Sequence, residues 1–372
     1  MTKERGLPDV LVTQGGERIG TADDWREKRR PEIMDLFREH VYGREPVGRP
    51  ASQTFHTAVT TDVMAGAAVR KQVEIRFEGA GGAGRIRLLL YLPSDRRGPS
   101  PVLLLLNNRG ALAGDEPDAG DTPFWPADRI VARGYAAAVL DVEEVDPDFD
   151  DGFRNGVHGL FDRFEGEERP ADAWATIAAW AWGAGRAMDY FESDPDIDAS
   201  RVAVVGHSRG GKAALWAGAV DERFAFVVSN ESGCTGAAIS RGKRGETIRD
   251  INAQFPHWFS ANYHAFAGRE EELPVDQHML VAAIAPRPVY VASATEDEWA
   301  DPSAEFASLI HAAPVYRLYG YRGLQDAPFP DPDTPLFGER MGYHLRTGVH
   351  DLTVYDWDRF MDFADNGPFR NI

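Results

Sequence analysis

The stretch RVAVVGHSRGGKAALWAGA, residues 201–219, constrains the fold more than any other part of this chain. Its first residues form an apolar strand and its last an alanine-rich helix, and between them Gly206, Ser208 and Gly210 match G-x-S-x-G. Three fixed letters in a five-residue pattern mean little alone, but a strand running in and a helix running out is the setting of a nucleophile elbow. The serine of such an elbow sits at a strained backbone angle, where side chains on its neighbours would collide, so small residues are needed around it. Ser208 is therefore the candidate nucleophile, against the plainer reading of a polar residue in a glycine-rich turn.

The remaining pattern supplies a sheet for that elbow. RKQVEIRFE (70–78) and RIRLLLYLP (85–93) alternate as strands on either side of GAGGAG, a hairpin connection. PVLLLLNN (101–108) and YAAAVLDV (135–142) are nearly continuous apolar runs, suited to parallel strands buried on both faces. A helix over 171–193 precedes the elbow strand. Further strands are expected at 224–230, 287–294 and 314–320, and a terminal helix at TVYDWDRFMDFAD. Such alternation implies an α/β fold, and with the elbow an α/β-hydrolase fold: a three-layer sandwich around a mostly parallel central sheet. No flexible boundary divides the chain, so 1–372 reads as one domain with a helical arm over about 1–50, capped at Thr21. Loop insertions fall at about 143–170 and 321–341; the first is long and acidic, as functional lids often are.

The formal net charge of −19 opposes binding to nucleic acid or to anionic membranes, so neither is expected as a partner. Cys234 is the lone cysteine, which excludes an intrachain disulfide and a cysteine-rich metal site. The N-terminal residues lack the apolar run of a secretory signal, and no stretch approaches a membrane span. The chain as written reads as cytoplasmic, or as secreted if a signal has been removed. The histidines lack paired ligand spacing and an activated serine needs no metal, so neither metal nor cofactor is expected.

A serine hydroxyl needs a base to take its proton. In elbow hydrolases of this kind the order along the chain is serine, acid, histidine. His257, His264, His278, His311, His344 and His350 follow Ser208 at a distance. His350, in a glycine-preceded loop just before the terminal helix, is the expected base. His344 is the rival, more suited to a structural bond with neighbouring backbone. The acid that orients the imidazole is Asp297, after the strand at 287–294, or Glu231, after the strand at 224–230. Charged loop residues are usually only solvated, which is the plain alternative for both. For the oxyanion, the backbone N–H of Arg209 is one donor, and the loop NNRGAL (107–112) should provide another.

The residues from GHSRGGKAALWAGA through FVVSNESGCTGAAISR (206–241) resemble the glucuronoyl esterase family, carbohydrate esterase family fifteen, whose elbow reads G-[CH]-S-R-x-G-K. The likeness extends through INAQFPHWF (251–259), LPVDQHMLVAAIAPRPVYVASATEDEWADP (273–302), GYHLRTGVHDL (342–352) and the arm WREKRRPEIMDLFREHVYGREP (25–46). His207 stands where fungal members have cysteine, which matches the bacterial pattern. The resemblance implies Ser208 as nucleophile and His350 as base. It implies Glu231 as acid in one branch and Asp297 in another, and this chain has both. It also implies Arg209 as a side-chain donor near the oxyanion, and Lys212, Gln254 and Trp299 as contacts to a glucuronic acid unit.

Those residue types suit the task. Lys212, one helical turn beyond Ser208, can donate to sugar oxygens, and a tryptophan offers an apolar plate to a pyranose. The plain alternatives are a solvated helix lysine, an ordinary loop glutamine and a core tryptophan. The expected activity is that of a serine esterase cleaving (4-O-methyl)glucuronic acid esters through an acyl-enzyme. The expected partner is a carbohydrate ester, glucuronoxylan-derived or acetylated. The alternatives are an acetyl xylan esterase or other deacetylase, and a non-catalytic carbohydrate-binding protein on a degenerate hydrolase fold.

Overall fold

The computed structural model describes residues 6–110, 121–164, 168–367 and 369. The chain opens with the arm. Thr21 Oγ1 accepts from Asp24 N at 3.0 Å, and helix α1 (Arg30–Phe37) follows. Trp25, Ile33, Phe37 and Tyr42 of this arm are fully buried in the main core.

One ten-stranded sheet organises the rest. An antiparallel meander of β1 (Thr54–Val63), β2 (Ala68–Gly79) and β3 (Gly82–Pro93) forms one end. The centre is parallel: β4 (Ser100–Asn107), β5 (Ala136–Asp141), β6 (Ile197–His207), β7 (Phe226–Asn230) and β8 (Val289–Ala294). The short β9 (Leu336–Phe337) and then β10 (Met341–Arg346) complete it, with β10 parallel to β8. The spatial order is β1-β2-β3-β5-β4-β6-β7-β8-β10-β9.

Strand side chains point alternately to opposite faces, and the apolar runs let both faces be covered. Val102, Leu104 and Leu106 of β4 pack on one side with α1, α4 (Thr176–Phe191), α5 (Arg209–Val220), α7 (Gln277–Ala283) and α8 (Pro302–Leu318). Leu103 and Leu105 face the other side, with α2 (Ala127–Ala132) and α9 (Val354–Asn366). The result is the three-layer α/β-hydrolase sandwich expected from the sequence. Two smaller helices lie in connections, α3 (Gly156–Phe161) and α6 (Ile248–Gln254). No helix among the described residues is long and apolar enough to cross a membrane.

Three expectations are corrected. PVYRLYG (314–320) is not a strand: Pro314 to Leu318 form the end of α8, where Val315 and Tyr316 are buried against the core. The last parallel strand is instead β10, Met341–Arg346, where no strand was expected. The meander also begins one strand earlier than expected, at β1, whose exposed residues give little apolar signal.

Candidate active site

The parallel order brings four chain segments to one edge. β6, β7, β8 and β10 are consecutive neighbours, so the segments leaving their carboxyl ends converge. Ligands of open α/β sheets bind at such carboxyl ends. Ser208 follows β6, Glu231 follows β7, Asp297 lies three residues past β8, and His350 lies four past β10.

At the elbow, Ser208 has φ 55° and ψ −125°, outside the regions that side chains favour. A Cβ on Gly206 would lie 2.0 Å from Gly210 O, and one on Gly210 would lie 2.9 Å from Leu106 O. The G-x-S-x-G spacing is thus enforced by backbone crossing backbone. Ser208 N donates to Asn230 O at 2.9 Å, which ties the elbow to the end of β7.

His350 Nδ1 meets both candidate acids, Asp297 Oδ2 at 2.6 Å and Glu231 Oε2 at 3.2 Å. The two loops are stitched together: Glu296 N donates to Gly348 O and Gly348 N to Thr295 Oγ1. Glu231, itself at φ 47°, is clamped by Arg346 Nη2 at 2.8 Å and by Asp351 N at 3.0 Å. Burial pushes its carboxyl up to about 7 against the opposing pull of His350 and Arg346. Burial also favours neutral Asp297, yet hydrogen bonding and attraction from His350 hold it below the usual carboxylate range. For His350, burial opposes the charge, but the two carboxylates outweigh it and raise the imidazole to about 9. With Nδ1 occupied, Nε2 is the ring nitrogen left to act on substrate. The facing atoms of Glu231, Asp297 and His350 lie within 4.8 Å of one another. The 2.6 Å contact between His350 Nδ1 and Asp297 Oδ2 is a hydrogen bond, the geometry of a base held by its orienting acid.

The rival His344 is fully buried within β10, its Nε2 2.8 Å from Asp356 and its Nδ1 3.1 Å from Tyr290 Oη. It is structural, but its partners are side chains rather than the backbone group expected. His207 packs its ring 4.5 Å from that of His350, with Nδ1 2.6 Å from Asn230 Oδ1. Burial and the nearby His350 push it down to about 3, so it stays neutral and adds no charge beside the base.

All eight residues singled out in the sequence line one cavity of about 320 Å³: Ser208, Arg209, Lys212, Glu231, Gln254, Asp297, Trp299 and His350. Lys212 is not a solvated helix residue; it is buried, and Nζ donates to Ser232 O and Cys234 O, both at 2.6 Å. Of its three donors, one remains for a ligand. Trp299 is no core residue, being 51% exposed. Gln254 is exposed at the end of α6. Arg209 pairs with Asp148 and lies 5.0 Å over the ring of Trp258. In the expected oxyanion loop, Asn107 Nδ2 donates to Gly110 O at 2.6 Å, while Ala111 and Leu112 lie outside the described residues.

Sequence reasoning missed three parts of this site. Glu246 lines the cavity 3.7 Å from Lys212, brought there by the fold with no local motif to announce it. Trp258 forms another wall, stacked on Phe255 at 3.8 Å. Asp148 accepts from Trp258 Nε1 at 2.7 Å and contacts His257 Nε2 at 3.1 Å besides holding Arg209. It belongs to the acidic 143–170 insertion, whose length was the one available signal.

Fold and site together define an α/β-hydrolase, with an elbow serine, an imidazole and its carboxylates at the carboxyl edge of a parallel sheet. The family model described as glucuronyl esterase, fungi, matches residues 121–320. A carbohydrate esterase from an unknown prokaryotic organism is 41% identical, the match covering 97% of this chain and 89% of the relative. The chain belongs to the glucuronoyl esterase family and is a carboxylic ester hydrolase. Its structure is similar to that of a glucuronoyl esterase from Solibacter usitatus, with a TM-score of 0.90, 40% identity and coverage of 96% and 97% of the two chains. A 4-O-methyl-glucuronoyl methylesterase of Phanerochaete carnosa is 33% identical over 84% of this chain and 72% of its own length.

Proposed function

We propose that this protein is a glucuronoyl esterase that hydrolyses esters of (4-O-methyl)glucuronic acid through an acyl-enzyme on Ser208. The observation that carries the reading is the single cavity in which Ser208 and His350 share walls with Lys212, Glu246, Gln254 and Trp299. Its volume of about 320 Å³ suits one small ring rather than a polymer segment. Trp299 offers a plate to the pyranose face, while Lys212 and Gln254 donate to ring oxygens and Glu246 accepts from hydroxyls. The names of the Solibacter and Phanerochaete relatives support the same ester class. The arm and both insertions work as parts of one catalytic domain, residues 1–372.

In the first step Ser208 Oγ attacks the C6 carbonyl carbon of the uronate ester while His350 Nε2 takes the hydroxyl proton. Negative charge gathers on the carbonyl oxygen and is met by the Arg209 N–H at the first turn of α5, with the helix dipole adding to it. The Arg209 guanidinium adds positive charge beside that oxygen. When the tetrahedral intermediate collapses, the ester C–O bond breaks and His350 returns its proton to the leaving alcohol. Water then attacks the acyl-enzyme with His350 again as base, releasing the uronate and restoring Ser208. Asp297 and Glu231 hold the imidazole in the tautomer that leaves Nε2 free and stabilise the imidazolium.

A fluorophosphonate probe tests the nucleophile. It should label Ser208, and benzyl glucuronate should slow the labelling. A folded protein that takes no label is instead a carbohydrate binder without the chemistry.

A further inference from the structure

Trp299 is a wall of two cavities. Behind the catalytic one lies a second cleft of about 480 Å³, lined by Arg244, Thr295, Glu298, Trp299, Ser303 and Phe329 among others. That volume is within the roughly 300–1,000 Å³ typical of small-molecule sites. Two large aromatic side chains stand open on it, Trp299 at 51% and Phe329 at 45% exposure.

The partition is fixed by the backbone. Trp299 O accepts from Lys243 Nζ at 2.8 Å and from Glu246 N at 3.0 Å. Gly245, at φ +65°, runs directly beneath, where a Cβ would come within 2.5 Å of Trp299 O. Arg244 N is tied to Asp301 Oδ2 at 2.8 Å. On the far side, Phe329 packs its ring against Phe306 at 5.5 Å and Tyr343 at 6.1 Å. Phe329 comes from the 321–341 insertion, for which the catalytic chemistry has no use.

Asp301, Ser303 and Thr295 of the cleft are engaged with one another or with backbone, but two of its charged side chains are not. Among the described residues, neither the Arg244 guanidinium nor the Glu298 carboxylate has a hydrogen-bond or ion-pair partner, although most arginines of this chain are paired. Aromatic plates with a free donor and a free acceptor are the chemistry that recognises a sugar: ring C–H faces on the plates, hydroxyls on the polar groups. With Arg244 opposed by Glu298 and Asp301 in the lining, the cleft favours an uncharged ring over a second uronate.

We propose that this cleft is a second sugar subsite, taking a neutral pyranosyl residue of the glycan that carries the esterified uronate. The proposal rests on the glucuronate-ester reading of the neighbouring cavity. Trp299 then separates two rings of one substrate.

The test compares two methyl esters with the same leaving alcohol, free methyl 4-O-methylglucuronate and the same unit carried on a xylo-oligosaccharide. Arg244→Ala and Glu298→Gln remove side chains that hold no other residue in place, and Phe329→Leu trims one plate while keeping apolar volume. Each should raise KM for the oligosaccharide ester by roughly fivefold, the scale of one net hydrogen bond, and leave the free ester unchanged. Equal effects on both esters, or none on either, overturn the subsite. So does an effect that instead follows the alcohol when methyl is replaced by benzyl. Wild-type turnover of the free ester with none of these selective losses leaves the esterase reading standing; no turnover of either ester by the wild type removes both.

Discussion

One imidazole nitrogen faces two carboxylates at this site, and that pairing sets the first prediction. His350 must be neutral to accept the Ser208 proton, and its neighbours raise it to about 9, above the ordinary histidine value near 6.5. The rate kcat/KM should therefore climb with pH along a limb displaced well above 6.5. Glu231→Gln or Asp297→Asn removes one negative neighbour, so the limb should move to lower pH in either variant. Each single change should cost roughly 10–100-fold in kcat, because the other carboxylate still contacts Nδ1, and the double change should approach about 10⁴-fold. An unmoved limb in both single variants contradicts this account. Ser208 and His350 were legible because the elbow is a local motif and the order of triad members along the chain is simple. The choice between Glu231 and Asp297 was not, since both follow adjacent strands; the fold delivers both to one nitrogen. For Lys212 the reach was legible but the engagement was not, since the carbonyls that take two of its donors lie beyond the next strand.

Elements were legible where apolar runs are continuous and obscure where burial is uneven. β4, β6, β7 and β8 stood out because both of their faces are covered. β10 is only six residues, with a glycine and a histidine on the face toward Tyr290, which hides its alternation. The end of α8 carries proline, valine and tyrosine, strand-favouring or helix-breaking residues, and tertiary packing overrides that preference. The 143–170 insertion was visible as a length of acidic chain, but its purpose depends on where Asp148 lands. Asp148 gathers Arg209, His257 and Trp258, so it fixes one wall of the cavity and the guanidinium beside the elbow. Hydrogen bonds to charged groups contribute about 1.5–3 kcal/mol. Asp148→Asn should thus lower kcat/KM on a glucuronate ester by roughly 10-fold or more, and steady-state kinetics at unchanged fluorophosphonate labelling would register it. Wild-type kinetics in that variant would make the contact incidental.

At the scale of the whole molecule, the arm is part of the core that supports the elbow. Tyr42 stacks on Trp216 of α5 at 4.3 Å and donates to Thr235 O at 2.9 Å, close behind the Glu231 loop. Trp25, Ile33 and Phe37 are buried with it, and burying each such side chain contributes about 1.5–3 kcal/mol. Against a total stability of about 5–15 kcal/mol, deletion of residues 1–50 should abolish cooperative folding, as circular dichroism on heating would reveal. A cooperative transition near that of the full chain would show the arm to be dispensable. The central claim is that Ser208 cleaves uronate esters, with the sugar on the acyl side. Paired initial rates on benzyl glucuronate and on acetylated xylo-oligosaccharide, for the wild type and Ser208→Ala, test it most directly. The account predicts turnover of benzyl glucuronate that far exceeds deacetylation and vanishes in Ser208→Ala; deacetylation without glucuronate cleavage, or glucuronate cleavage that survives loss of Ser208, would contradict it.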